Sequence, residues 1–341
     1  MPLTEIVGGF YGDEGKGTVV AYIVLNDKVD AAVRSQGPQA GHTVFHGGEK
    51  YVFRQIPSAI FNLNTQLLIA AGAFVRPDVV LEEVERFKSF NVENRLRIDE
   101  NATAILPQHI EREKELMQSI GSVGTGVGPA YADRIMRKPE VLVKFVPSLE
   151  KFSKGVNVSN IVNDCLDEGK YVFIEGAHGT FLSNFHGSYP YTNAYDNTAS
   201  ALLSQVGIGP KRADKIIVVF KSFVSRVAAG PLEGEIPAEE AERLGWVEYG
   251  TVSGRRRRVA PFDVKLAKNS TRLNTPTDLA ITKMDVLFPN AHGITDYSKL
   301  PCECQQWIED LEKKLCVPIT LIKTGPEIRD IIDLREEKGT I

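Results

Sequence analysis

The densest chemistry in the chain lies between two apolar stretches, in Gly8-Gly9-Phe10-Tyr11-Gly12-Asp13-Glu14-Gly15-Lys16-Gly17-Thr18. Ile6-Val7 before it reads as the end of a strand and Val19 to Val24 after it as a helix, so the glycines fall at a strand-to-helix turn. Glycines there let backbone N–H groups close around phosphate oxygens, and the helix adds its positive end. The spacing departs from a Walker A loop. Five residues rather than four separate Gly9 from Gly15, and Gly17 stands where Ser or Thr binds Mg²⁺. Other residues must therefore hold a metal. The plainer alternative is an ordinary glycine turn with surface Asp, Glu and Lys, since one glycine-rich loop is weak evidence.

Three further groups could act on a nucleotide or a carboxylate. His42 sits in a glycine-bearing segment, although a single histidine is more often a structural loop residue. Arg255-Arg256-Arg257-Arg258 follows Gly254, and guanidinium forks match carboxylates through paired hydrogen bonds. Such a run also reads as a nucleic-acid patch or a solvated face. Thr282-Lys283-Met284-Asp285 follows the apolar Leu279-Ala280-Ile281 and so belongs at a strand end, where ligands gather in open α/β sheets. A carboxylate at Asp285 can accept from both N1–H and the 2-amino group of guanine, while the methylenes of Lys283 cover the ring. Adenine offers no such donor pair, which favours GTP over ATP.

These groups need a rigid scaffold, and the apolar runs supply one. Ala31 to Val33, Leu67 to Ala70, Tyr171 to Ile174, Ile216 to Phe220, Leu279 to Ile281 and Val317 to Leu321 are continuous rather than alternating, as strands covered on both faces should be. Helix-like polar segments such as 78 to 89 and 304 to 315 lie between them. The fold class expected is α/β: a mostly parallel central sheet flanked by helices, with the P-loop-like glycine loop after the first strand. No repeat, low-complexity tract or long linker marks a boundary, so residues 1–341 read as one unit. The loops at 34 to 47, 120 to 131, 185 to 200 and 248 to 260 are long, polar and glycine-bearing, where binding residues concentrate.

Composition narrows the class. The 341 residues carry 40 Lys plus Arg against 44 Asp plus Glu, a net charge of −4 that argues against a polyanion-binding protein. Cys165, Cys302, Cys304 and Cys316 lack zinc spacing and read as free thiols of a reducing compartment. With neither a basic n-region and apolar h-region nor a membrane-length apolar run, a cytoplasmic location is expected.

The string GDEGKG at 12 to 17 resembles the signature that opens adenylosuccinate synthetases, and the resemblance continues in order along the chain. Gly37-Pro38-Gln39-Ala40-Gly41-His42-Thr43 resembles G-x-N-A-G-H-T; Gly121 to Tyr131 resembles GTTGxGIGPAY; Glu175-Gly176-Ala177-His178-Gly179 resembles EGAQG. Ser225 to Pro231 resembles TRVGAGP, Gly250 to Arg258 the aspartate loop GTTTGRxRR, and Thr282 to Asp285 the T-K-x-D guanine reader. The resemblance implies a GTP- and Mg²⁺-dependent ligase that phosphorylates O6 of a purine nucleotide and lets the amine of aspartate displace phosphate.

Residue roles follow from the same resemblance. Asp13 takes the purine N1 proton and holds Mg²⁺ with the Gly41 carbonyl; His42 acts as acid at the β–γ bridge; Lys16 neutralises the transferring phosphoryl. Gly12, Glu14, Gly15, Gly17 and Thr43 surround GTP, and Thr324-Gly325-Pro326 covers its base. Gln39, Val123, Arg137, His178, Asn193 and Arg255 join Asp13 around the purine monophosphate. Val252, Ser253, Arg255 and Arg257 hold aspartate. Arg137 is of the kind lent by a neighbouring subunit, which implies a homodimer; no nucleic-acid or membrane partner is implied.

Four departures cluster at the acceptor: Gln39 for Asn, Val123 for Thr, His178 for Gln and Asn193 for Thr. Val252 likewise replaces a threonine of the aspartate loop. Two acceptors thus stay open: IMP, the family default, and dGMP, used by viral relatives that make 2-aminoadenine. Outside the family stand a P-loop kinase or GTPase, for which the Walker spacing fails, and a non-catalytic nucleotide-binding relative, against which Asp13, Lys16 and His42 argue together.

Overall fold

Each of the apolar runs becomes a strand. The computed structural model describes residues 3–227 and 229–340, the side chains of 115, 116, 118 and 119 excepted; Ala228 of the Ser225 to Pro231 segment lies outside that set. Among the described residues, nine strands form the central sheet: β1 (Leu3–Gly8), β2 (Ala31–Arg34), β3 (Gln66–Ile69), β4 (Leu96–Ile98), β5 (Val172–Gly179), β6 (Lys215–Lys221), β7 (Asp278–Thr282), β8 (Ile319–Lys323) and β9 (Ile331–Asp333). Their order is β9-β8-β7-β6-β1-β5-β2-β3-β4. Neighbours pair in parallel except β9, which closes one edge antiparallel to β8.

Continuous apolar strands follow from burial on both faces. In β1, Leu3 and Val7 enter one core while Ile6 enters the other; in β6, Val218 and Phe220 alternate with Ile217 and Val219 in the same way. Glu5 breaks the pattern, buried with both carboxylate oxygens unpartnered, and burial raises its pKa well above the ordinary range.

Because β1, β2, β5, β6, β7 and β8 run in parallel, their carboxyl ends bring Gly8, Arg34, Gly179, Lys221, Thr282 and Lys323 to one edge. The loops that leave this edge contain more regular structure than the sequence predicts. The 34 to 47 stretch ends in a hairpin of His42–His46 with Glu49–Phe53, and the 248 to 260 loop runs into a ribbon of Arg258–Pro261 with Phe223–Arg226. No helix among the described residues is long and apolar enough to cross a membrane.

Candidate active site

The glycine loop is built around Glu14. Its buried carboxylate accepts from Phe10 N–H at 3.0 Å, Gly12 N–H at 2.8 Å and the Lys16 ammonium at 2.7 Å. Burial opposes ionisation of Glu14, but Lys16 and the backbone donors outweigh it and hold its pKa below the ordinary value. A Cβ on Gly8 would sit 2.4 Å from Glu14 Oε2 and 2.6 Å from Lys16 Nζ, so only glycine admits the pair. Helix α1 (Lys16–Asn26) starts at Gly15, whose φ of 85° is left-handed. Gly17 is required by packing, since a Cβ there would meet His42 Cβ at 2.7 Å. That contact explains why no hydroxyl stands at the Walker position.

Lys16 is thus 1 % exposed and paired within its own loop, a stronger constraint than a free phosphate-binding lysine. Asp13, at φ 63°, keeps its carboxylate 24 % exposed and ion-paired to Arg257 Nη2 at 2.9 Å. Burial raises the Asp13 pKa, and Arg257 and Lys221 only partly offset it; a carboxylate of raised pKa is a better base.

Next to this loop His42 Nδ1 meets Glu175 Oε1 in a short hydrogen bond. Glu175, midway along β5, also accepts from Ser58 N–H and Oγ–H, both at 2.7 Å, and lies 3.4 Å from Arg34 Nη1. Burial opposes its ionisation, yet His42, Arg34 and Ser58 hold its pKa at about 2. Burial and then the Arg34 charge lower His42 to about 4 against the pull of Glu175. The imidazole is therefore neutral near pH 7, with Nδ1–H pointed at the carboxylate.

The glycine loop, His42 and Arg257 open into one cavity of about 920 Å³, with Glu175 buried outside it. Of the residues singled out from the sequence, Gly12, Asp13, Glu14, Gly15, Lys16, Gly17, Gln39, Gly41, His42, Thr43, Val123, His178, Asn193, Val252, Ser253, Arg257, Lys283, Asp285, Gly325 and Pro326 line it. Three do not. Thr324 is buried behind the wall, donating to the Ile294 carbonyl at 2.7 Å. Arg255 points outward and clasps the Gly121 and Ser122 carbonyls at 2.9 and 3.2 Å, joining the arginine loop to the 120 to 126 loop. Arg137 is exposed beyond Ile135 and Met136, themselves 60 % and 73 % exposed.

Gln39, Val123, His178 and Asn193, the four substituted residues, all line the cavity. Gln39 Nε2 and Gly37 N–H both donate to the Tyr195 hydroxyl at 2.9 Å, and Asn193 Nδ2 donates to Asn197 Oδ1 at 3.2 Å. His178 is buried beside the Tyr195 ring with Nε2 unpartnered. Burial, with Lys16, His42 and Arg34 nearby, lowers its pKa well below the ordinary value.

At the opposite end Asp285 lies 3.6 Å from His292 Nδ1, and Lys283 Nζ lies 3.3 Å from Glu248. Lys323, buried beside Asp285 and bonded to the Gly325 carbonyl, is lowered by burial to about 8. Sequence reasoning did not single out Lys323, Glu248 or Lys221, and it noted Glu175 only within a motif; a lone charged residue at the end of an apolar run is the signal that could have found Glu175 and Lys221.

A protein-family model described as adenylosuccinate synthetase matches residues 5–155 and 140–291. Adenylosuccinate synthetase of Thermococcus sibiricus is 48 % identical over 340 residues, 98 % of this chain and 99 % of that protein. This chain belongs to the adenylosuccinate synthetase family. It is accordingly a ligase that forms a carbon–nitrogen bond, of a family that uses GTP. The Archaeoglobus fulgidus adenylosuccinate synthetase is 47 % identical over 342 residues, 99 % of this chain and all of that protein. Among solved structures, the fully ligated adenylosuccinate synthetase from Plasmodium falciparum superposes with a TM-score of 0.91 at 22 % identity, over 98 % of this chain and 100 % of that one. The succinoaminodeoxyadenylate synthetase of cyanophage S-2L, bound to dGMP with dATP as energy donor, gives 0.80 at 23 % identity over 99 % and 98 % of the chains. At such identities the two structures speak for the fold.

Proposed function

We propose that the chain, acting as one unit, joins L-aspartate to C6 of IMP at the expense of GTP. The observation that carries this reading is the single cavity into which the Asp13 carboxylate, the His42 imidazole, the Arg257 guanidinium and the Lys283–Asp285 corner all open, with the buried Glu175 bonded to His42. Adenylosuccinate has no 2-amino group, so relatives named for making it support IMP over dGMP as the acceptor.

Asp13 accepts the proton from purine N1, and O6 attacks the γ-phosphorus of GTP as the bond to the β–γ bridging oxygen breaks. Glu175 orients His42 through Nδ1, which leaves Nε2 for the phosphates. Their negative charge raises the imidazole pKa from its substrate-free value, so that His42 can donate to the departing GDP oxygen. In the second step the aspartate amine attacks C6, and the C6–O6 bond breaks to release phosphate carrying O6. Lys283 and Asp285 hold the guanine, with Lys323 beside them. Ser253 and Arg257 hold aspartate. Binding of its carboxylates requires Arg257 to share or give up Asp13.

The donor set suits Mg²⁺, which is commonly bound through one or two carboxylates with substrate phosphates completing its shell. Asp13 and the Gly41 carbonyl, both lining the cavity, are the residues that would hold it and let it offset phosphate charge. Arg137, exposed and outside its own cavity, suits a role across a homodimer interface, at the 5′-phosphate of the partner's acceptor. Four free cysteines suit a cytoplasmic setting.

Purified protein with Mg²⁺, GTP and aspartate tests the reading when IMP, GMP and dGMP are compared by phosphate release and product mass. Adenylosuccinate formation preferred from IMP is expected. A faster reaction with dGMP would replace IMP as the acceptor, and no product from any acceptor would defeat the ligase reading for this chain.

A further inference from the structure

The carboxylate of Glu248 meets three cations from three separate elements. Lys221 at the end of β6 and Arg257 on the arginine loop both donate to Oε2, the latter at 2.8 Å, while Lys283 just past β7 lies 3.3 Å from Oε1. Lys221 is buried; its other contacts are the Ser225 hydroxyl at 2.5 Å and the Phe223 ring at 4.4 Å. Main-chain bonds reinforce the arrangement. Arg257 N–H donates to the Glu248 carbonyl at 2.9 Å and Gly250 N–H to the Arg255 carbonyl at 2.8 Å, so Glu248 and Arg257 close the base of the loop. Arg257 then reaches Asp13 through its other terminal nitrogen. Its Nε is buried without a partner, and the side chain lines the cavity.

Lys283, Glu248, Arg257 and Asp13 therefore form one chain of contacts from the base-reading corner to the reacting centre. We propose that Glu248 is a positioning residue that couples occupation of the GTP base site to the grip of Arg257 on aspartate. The proposal rests on the ligase reading. A carboxylate shared by three cations fixes their separations; without it the cations repel one another and Arg257 loses one of its two acid partners. A base settled on Lys283 holds that ammonium at Glu248, and Glu248 in turn holds Arg257 at the cavity wall. GTP thus raises the affinity for aspartate, and linkage requires aspartate to do the same for GTP.

The test is steady-state kinetics of Glu248→Gln across a grid of GTP and aspartate concentrations. In the parent, KM for aspartate should fall as GTP rises. In the variant it should rise about tenfold or more and become independent of GTP, with KM for IMP within about threefold of the parent. Because Glu248→Gln leaves Lys221 buried without its counter-charge, the pair Lys221→Met/Glu248→Gln is measured too, with thermal melting as the check on folding. The same kinetic split is expected there. An aspartate KM within about twofold of the parent in the folded double variant, or an equal rise in KM for all three substrates, would overturn the coupling. A parent that makes no product from any acceptor defeats the ligase reading and this proposal with it.

Discussion

The two loops that face each other across the cavity are held in opposite ways. The glycine loop is fastened from within, by main-chain N–H groups and an ammonium gathered on the buried Glu14 carboxylate, and by the Thr282 hydroxyl on the Glu14 carbonyl at 2.7 Å. The arginine loop is fastened from outside. Arg255 reaches carbonyls of another loop, Arg256 reaches Glu242, and Arg258 reaches Glu235. Among its charged side chains, Glu248 and Arg257 at its base are the largely enclosed ones. The contrast matches the two tasks. Phosphoryl transfer gains from donors fixed before the reaction, whereas capture of aspartate needs guanidinium groups that can exchange one carboxylate for another.

Perturbing each loop should therefore give different kinetic signatures. The largest effect is expected from Asp13→Ala, which removes the base on the rigid side. Phosphate release should fall by about a thousandfold or more while GTP affinity stays within a few-fold, as equilibrium binding and turnover measured together will show; substantial residual turnover means that another group takes the N1 proton. Glu175→Gln comes next. It keeps the shape but removes the charge that orients His42, so kcat should drop about a hundredfold or more. Retention of near-parent kcat would remove Glu175 from the reaction.

On the recognition side, Asp285→Asn should narrow the preference for GTP over ATP by roughly ten- to a hundredfold, read from kcat/KM for the two nucleotides. Unchanged discrimination would mean that the base is read elsewhere. Arg255→Ala, which only unclasps the arginine loop from Gly121 and Ser122, should raise KM for aspartate about three- to tenfold with little change in kcat.

The smallest effect concerns pH. His178 is buried neutral with a lowered pKa, so below the ordinary histidine value of about 6.5 the unfolded chain binds a proton that the folded chain refuses. Stability contributed by this group is whole above that pH and declines as pH falls below it. His178→Gln should flatten the slope of Tm against pH between about 7 and 5; an unaltered slope would assign the acid sensitivity to other groups.

Much of this contrast is visible in the sequence, and the rest is hidden for identifiable reasons. Seven of the nine sheet strands show, six as continuous apolar runs because both faces are buried and β1 through Ile6-Val7 before the glycine loop. Leu96–Ile98 and Ile331–Asp333 are too short and too mixed with charge to stand out, and the His42–His46 hairpin reads as loop because its outer face is polar. Residues of the glycine loop are legible since Glu14 and its partners Phe10, Gly12 and Lys16 are local, and Thr282 to Asp285 because they follow an apolar run as one short motif. Glu175 is not, because its partner His42 lies 133 positions away and only the sheet order brings them together. Arg255 shows the converse: a fork suited to a carboxylate here clasps two adjacent carbonyls of a distant loop, which its sequence position does not reveal.

The central claim is that this one cavity moves a phosphoryl group to O6 and then exchanges that oxygen for the amine of aspartate. It is tested most directly with IMP labelled with heavy oxygen at O6, GTP, Mg²⁺ and aspartate, weighing the phosphate released. The account predicts that the label leaves IMP and appears in inorganic phosphate in step with adenylosuccinate. Unlabelled phosphate accompanying product formation would contradict it, since O6 would then leave without ever bonding to phosphorus.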